Sequence, residues 1–173
     1  IALGLGEDEF RALGRYDRSG LLDGELWRLV TAHLVHLSWG HVWLNLVALV
    51  LMAILFDGFM SAHDWIVATV LSALAIDAGL FFFEPDVGWY VGLSGSLHGI
   101  MVVGAVAMLR AGFKVAAVLL VGVVCKLVWE QTAGPIPFSE ATSGGAVLVD
   151  AHLYGAIGGV VARLLIDFPR RST

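Results

Sequence analysis

Charge is scarce in this chain: Lys, Arg, Asp and Glu make up 14% of its 173 residues, against about a quarter in a soluble globular domain. The basic residues form no cluster or stripe able to track a phosphate backbone, so nucleic acid is not an expected partner. Cysteine is almost absent. Cys125 stands alone in an apolar run, which excludes an internal disulfide and leaves too few ligands for a cysteine metal cage. No signal-peptide pattern of basic, apolar and small-residue zones is visible. No methionine opens the chain either; residues 1–6 read as the tail of an apolar segment, which implies that an upstream helix is missing.

What is abundant is apolar. The chain is 58% hydrophobic, and its apolar runs approach or exceed the ~20 residues that a helix needs to cross a bilayer, with short polar connections between them. The expected fold is therefore an all-α integral membrane bundle forming a single domain over residues 1–173. A surface loop covers about 7–40, ending near the interfacial pair Trp27-Arg28, and spans follow at about 41–59, 65–83, 94–110, 113–132 and 146–166. Glu84-Pro85-Asp86 and Gly134-Pro135 stop two of them, because proline cannot continue a helix. The third span is short, so its first residue, Ser94, is expected below the membrane surface. Arg110 and Lys114 share one connection, and Arg163, Arg170 and Arg171 lie at the end, all on one side, which by the positive-inside rule is cytoplasmic. Ser94 then faces the outer side.

Ser94 sits between glycines in Gly92-Leu93-Ser94-Gly95, where an extended connection enters a helix. Such a hydroxyl is unobstructed, and a helix N-terminus favours developing negative charge, as a nucleophile requires. Taken alone, the same pattern also fits an N-cap serine flanked by packing glycines. His152 lies in an otherwise apolar span with Gly155 and Gly159 on roughly its own face, where another helix can approach closely. An ionisable side chain at that depth is costly and points to function. A serine hydroxyl needs a base to accept its proton, and histidine is the commonest one, so Ser94 and His152 form a two-residue site. Asp150, two positions earlier, points to nearly the opposite face and is left out.

His41 and Asn45 stack four apart at the start of the first span and both can donate to an anionic oxygen, which suits an oxyanion hole. His33 and His36 are expected to satisfy loop carbonyls. A metal site built from His33, His36 and His41 is the alternative, weakened by the absence of an accompanying carboxylate or thiolate and by a spacing that does not keep one face. No metal and no other cofactor is expected. Lys126 and Glu130, four apart, are expected to neutralise each other in the membrane, with Glu130 greeting an incoming ammonium group as the alternative. Asp77 is read as a structural contact between helices.

Trp27-Arg28, His36 with His41 and Asn45 as HxxxxHxxxN, Gly92-Leu93-Ser94-Gly95, and Ala151-His152-x-x-Gly155-x-x-x-Gly159, in that order, resemble the rhomboid intramembrane proteases from about residue 25 to 160. The resemblance implies a core of six helices, five of which this chain shows. It also implies that Ser94 attacks a peptide bond, that His152 is its base, and that His41 and Asn45 line the oxyanion hole. Four residues after the serine, where rhomboids usually carry Tyr or Phe packed on the catalytic imidazole, stands His98. The segments 24–28, 89–99 and 150–155, together with Glu130-Gln131, are similar to the rhombosortase branch. That branch implies cleavage of bacterial surface proteins ending in a GlyGly motif, an apolar helix and a basic cluster, then transfer of the acyl group to a lipid-derived amine. The implied location is the bacterial inner membrane, with the site opening to the periplasmic side. His98 is expected to hydrogen-bond His152, tune its pKa or handle the proton of a second nucleophile, or else to stand in for the aromatic ring.

Overall fold

The computed structural model describes residues 8–166. The apolar tail expected at residues 1–6 and the basic pair Arg170-Arg171 lie outside the described residues. The chain is an all-α membrane bundle. Its long helices are α4 (Trp39–Leu55), α5 (Ala62–Phe83), α6 (Ser94–Arg110), α7 (Val115–Ala133) and α9 (Val149–Ile166), and the short α8 (Ser139–Ser143) lies before the last. Helices α5, α7 and α9 are long and apolar enough to cross a membrane. At 17 residues, α6 spans only about 25 Å, less than the ~30 Å hydrocarbon core, so one of its ends is submerged.

The helix ends are set locally. Ser38 caps α4 by accepting from the His41 N–H at 3.2 Å, while its hydroxyl donates to the Ser143 carbonyl at 2.7 Å and ties α8 to the start of α4. Ser61 and Asp64 form a reciprocal capping box on α5. Gly134, at φ 83°, ends α7 just before Pro135.

The segment before α4 is more ordered than a surface loop. It folds into α1 (Asp8–Gly14), β1 (Tyr16–Asp17), α2 (Arg18–Leu22) and α3 (Arg28–Thr31), and β1 pairs antiparallel with β2 (Trp89–Tyr90), setting Tyr16 opposite Tyr90. Trp27 is half exposed, as an interfacial side chain should be, but Arg28 is buried. Its guanidinium donates to the carbonyls of Ala12 at 2.7 Å and Arg15 at 3.0 Å and pairs with Glu25, so it staples the segment instead of facing lipid headgroups. Arg18 donates to the carbonyls of Leu80 and Phe81, where the C-terminal turn of α5 leaves acceptors without helical partners.

Two parts of the bundle pack very differently. Helices α6 and α9 run side by side in the same direction, with Gly95 and Gly99 against Gly155 and Gly159. A Cβ on Gly155 would strike the Gly95 carbonyl oxygen, and one on Gly159 the Gly99 carbonyl oxygen. Gly158 of α9 faces α5 at the Leu71 carbonyl and Ser72 in the same manner. This is backbone-to-backbone approach of the kind that lets helices associate where no hydrophobic effect separates them from lipid. By contrast, α7 turns Val118, Val121, Val124 and Val128 outward, each more than half exposed. Such a face suits contact with hydrocarbon.

Candidate active site

The approach to Ser94 is held by the loop before it. Gly92 takes φ +121°, a left-handed conformation that a residue with a side chain rarely adopts, and a Cβ there would lie 2.7 Å from His41 Cε1. Its N–H donates to the Ala32 carbonyl at 2.9 Å, and its own carbonyl accepts from the Tyr90 hydroxyl at 2.6 Å. The chain then enters α6 with Leu93, not Ser94, as the cap residue. The Ser94 hydroxyl is therefore not spent on capping. It lies 3.0 Å from His152 Nε2, across the glycine-lined α6/α9 contact.

His152 is buried, and its other ring nitrogen, Nδ1, lies 2.9 Å from Glu130 Oε2. Glu130 is also buried; its Oε1 accepts from Lys126 Nζ at 2.6 Å, and Lys126 Nζ lies 3.4 Å from His152 Nδ1. The expected pairing of Lys126 with Glu130 is present, but it occupies one carboxylate oxygen only. The other goes to His152, so Glu130 is not left facing an incoming ammonium, and the serine and histidine stand in a longer chain of contacts than a two-residue site. Sequence reasoning missed this link. The signal available was that a carboxylate has two oxygens and an (i, i+4) lysine engages one.

His98 makes no hydrogen bond to His152. Its ring stacks on the His152 ring at 4.4 Å between centroids and 23° between planes, and its Nδ1 is 2.7 Å from the Ser94 carbonyl, to which it donates. The position thus keeps aromatic packing on the imidazole and adds a tether to the backbone of Ser94.

His41 and Asn45 are buried on α4 and line the same cavity as Ser94 and His152. The Leu37 N–H donates to His41 Nδ1 at 3.4 Å, which leaves the ring proton on Nε2, the nitrogen nearer Gly92 and the start of α6. Asn45 Nδ2 gives one hydrogen to the His41 carbonyl at 3.1 Å and has a second to offer. The first N–H groups of α6 have no intrahelical acceptor, so the cavity combines several donors beside one hydroxyl.

That cavity measures about 790 Å³. Its polar floor is formed by the residues above, and its apolar walls come from α4 (Met52), α6 (Met101) and α7 (Leu119, Val123). Asp150 does not line it. Among the described residues, the only three His, Cys, Asp or Glu ligand atoms close enough to share an ion belong to His98, Glu130 and His152, within 4.8 Å of one another. His98 Nδ1 is taken by the Ser94 carbonyl, Glu130 and His152 bond each other, and the Lys126 ammonium on Glu130 opposes a cation there. His33, in the turn after α3, instead meets Asp77 on α5 at 3.3 Å, so Asp77 contacts a turn where a contact between helices was expected. His36 bonds the Leu34 carbonyl at 3.0 Å and packs edge-on against His41 at 4.9 Å between ring centroids, so two of the three histidines meet and His33 is held by Asp77.

Helices, cavity and buried polar cluster together define an integral-membrane protein that carries a serine and a histidine in contact within an apolar bundle. A Rhomboid domain family model matches residues 23–167, and the chain belongs to that family, whose members are intramembrane serine proteases acting on transmembrane substrates. No curated protein matches the chain.

Proposed function

We propose that this chain is an intramembrane serine endopeptidase of the rhombosortase type, which removes the C-terminal GlyGly, transmembrane and basic tail of bacterial surface proteins. The observation that carries the reading is the 3.0 Å contact between Ser94 Oγ and His152 Nε2 at the start of a helix, inside the apolar cavity. In this reading His152 takes the Ser94 proton as the hydroxyl attacks the scissile carbonyl carbon. The His41 Nε2–H, the Asn45 amide and the Ser94 backbone N–H stabilise the oxyanion. His152 then returns the proton to the departing amine, leaving an ester on Ser94.

The second half-reaction mirrors the first. A lipid-derived amine attacks the ester, His152 takes its proton, and Ser94 leaves as the hydroxyl. One amide is broken and one is formed, so the exchange needs no separate source of energy. The sequence likeness to the rhombosortase branch, with His98 in the place of the usual aromatic residue, supports transfer over hydrolysis. Arg110 and Lys114 lie at the end of the bundle opposite Ser94, which supports an inner-membrane location with the site facing the periplasm.

The test is co-expression with a GlyGly-tailed protein. Wild type should remove the tail and Ser94→Ala should leave it intact. Mass spectrometry of the new C-terminus should find an added amine. A free carboxylate would make water the acceptor and reduce the chain to an ordinary rhomboid protease; tail removal by Ser94→Ala would sink the endopeptidase reading.

A further inference from the structure

We infer that Glu130 is a positioning residue which orients His152 toward Ser94, and that Lys126 is its counter-ion within the membrane; this rests on the endopeptidase reading above. Two hydrogen arrangements are open to His152. If Nδ1 accepted from Lys126, Nε2 would carry the proton and could not serve as a base to Ser94. If Nδ1 donates to Glu130, Nε2 presents a lone pair to the hydroxyl. The distances decide. Nδ1 lies 2.9 Å from Glu130 Oε2 and 3.4 Å from Lys126 Nζ, and the ammonium has its short contact, 2.6 Å, with Glu130 Oε1. An ionised carboxylate only accepts, so the close Nδ1 must donate.

Burial points the same way. Helix α7 is mostly turned to lipid, and Ala116 and Glu130 are its buried residues. A carboxylate in a span is costly unless paired. Here it is set against the imidazole that touches the nucleophile, while Lys126, one turn earlier, supplies the countercharge on the oxygen that His152 does not use. Glu130 is buried at the cavity wall and spends one oxygen on Lys126 and the other on His152, so it acts through His152. The bland alternative is a Glu130–His152 contact that only holds α7 to α9.

The experiment uses the full chain in nanodiscs: wild type, Ser94→Ala, Glu130→Gln, Glu130→Asp, and the double variant Glu130→Gln with Lys126→Met. Two quantities are read: the rate at which a fluorophosphonate labels Ser94, and kcat and KM for a transmembrane substrate. Glu130→Gln should slow labelling by about 100-fold or more and lower kcat with KM unchanged, as expected when a base loses its orienting partner. Glu130→Asp should recover part of that loss. The double variant keeps the interior neutral and should fold as wild type does, yet remain slow. Labelling of the double variant at the wild-type rate would reduce the pair to a structural tie and overturn the inference. Failure of the wild type to label, or equal labelling of Ser94→Ala, would instead take down the serine-endopeptidase reading and this inference with it.

Discussion

Helices α9 and α7 each carry a side chain of the same polar cluster, yet they are held in opposite ways. Helix α9 meets α6 backbone to backbone through glycines, whereas α7 contacts the bundle mainly along one edge and gives the rest of its surface to lipid. The tight contact fixes the distance between Ser94 and His152, because atoms in direct van der Waals contact cannot shift without a clash. The loose one leaves a cavity wall between α7 and α4 and reaches α9 through the Glu130–His152 contact. In the proposed reading, the tight contact lies where Ser94 and His152 meet and the looser one borders the cavity that a transmembrane substrate would enter.

The comparison can be broken most severely at Gly155. Gly155→Val should cost about 3 kcal/mol or more, since its side chain has nowhere to go but into the Gly95 carbonyl, and thermal unfolding in detergent should show the loss or yield no folded protein. Gly122, in the middle of α7, has nothing near its missing Cβ. Gly122→Ala should therefore leave stability unchanged or raise it by up to about 1 kcal/mol, and a loss like that of Gly155→Val would show that α7 is packed as tightly as α9.

Gly122 also lines the cavity, which separates stability from turnover. Gly122→Leu should lower cleavage of a transmembrane substrate by about tenfold with the melting temperature unchanged, because the added volume lies in the substrate space and not in a helix contact. Next in size is the His98 stack. His98→Phe keeps a ring on His152 and should cleave within about threefold of wild type, whereas His98→Ala, which loses the ring, should fall by about tenfold. If His98→Phe keeps cleavage but loses amine transfer, the histidine is specific to the second half-reaction; if both survive, its role is packing alone.

The smallest effect belongs to the ordered segment before α4, outside the spans. The Asp17 carboxyl is held down at about 2, chiefly by the Ser19 hydroxyl, with help from the Gly20 N–H and Arg15. Its folded value is below its unfolded value, so its contribution is present above about pH 4 and is lost as the pH falls toward 2. Unfolding followed between those values should show this loss in the wild type and a smaller one in Asp17→Asn.

Much of this molecule is legible in one dimension. The spans follow from apolar runs, their ends from Ser61, Pro85 and Gly134-Pro135, and the close helix contact from glycines four apart, because each depends on residues near in sequence. Arg28 is a counterexample: next to Trp27 and before a span it reads as an interfacial cation, and only the fold of residues 8–22 around it turns its guanidinium to buried carbonyls. The choice between Ser94 as cap and Ser94 as free hydroxyl also needed the backbone, since it depends on whether Leu93 or Ser94 opens the helix.

What the amino-acid sequence determined alone is the membrane setting, the order of the helices and the presence of Ser94, His98, Glu130 and His152 on separate or successive turns. Hydropathy and helical periodicity are sums over neighbours, and they need no tertiary knowledge. What only the tertiary structure decided is who meets whom: His152 between Ser94 and Glu130, Lys126 on the remaining oxygen, His98 stacked and not bonded. The contacts of His152 with Ser94 and Glu130 join residues 58 and 22 positions apart and depend on how each helix is rotated about its axis. Here α9 is set against α6 by glycine contacts, and α7 reaches α9 through the 2.9 Å contact between Glu130 and His152.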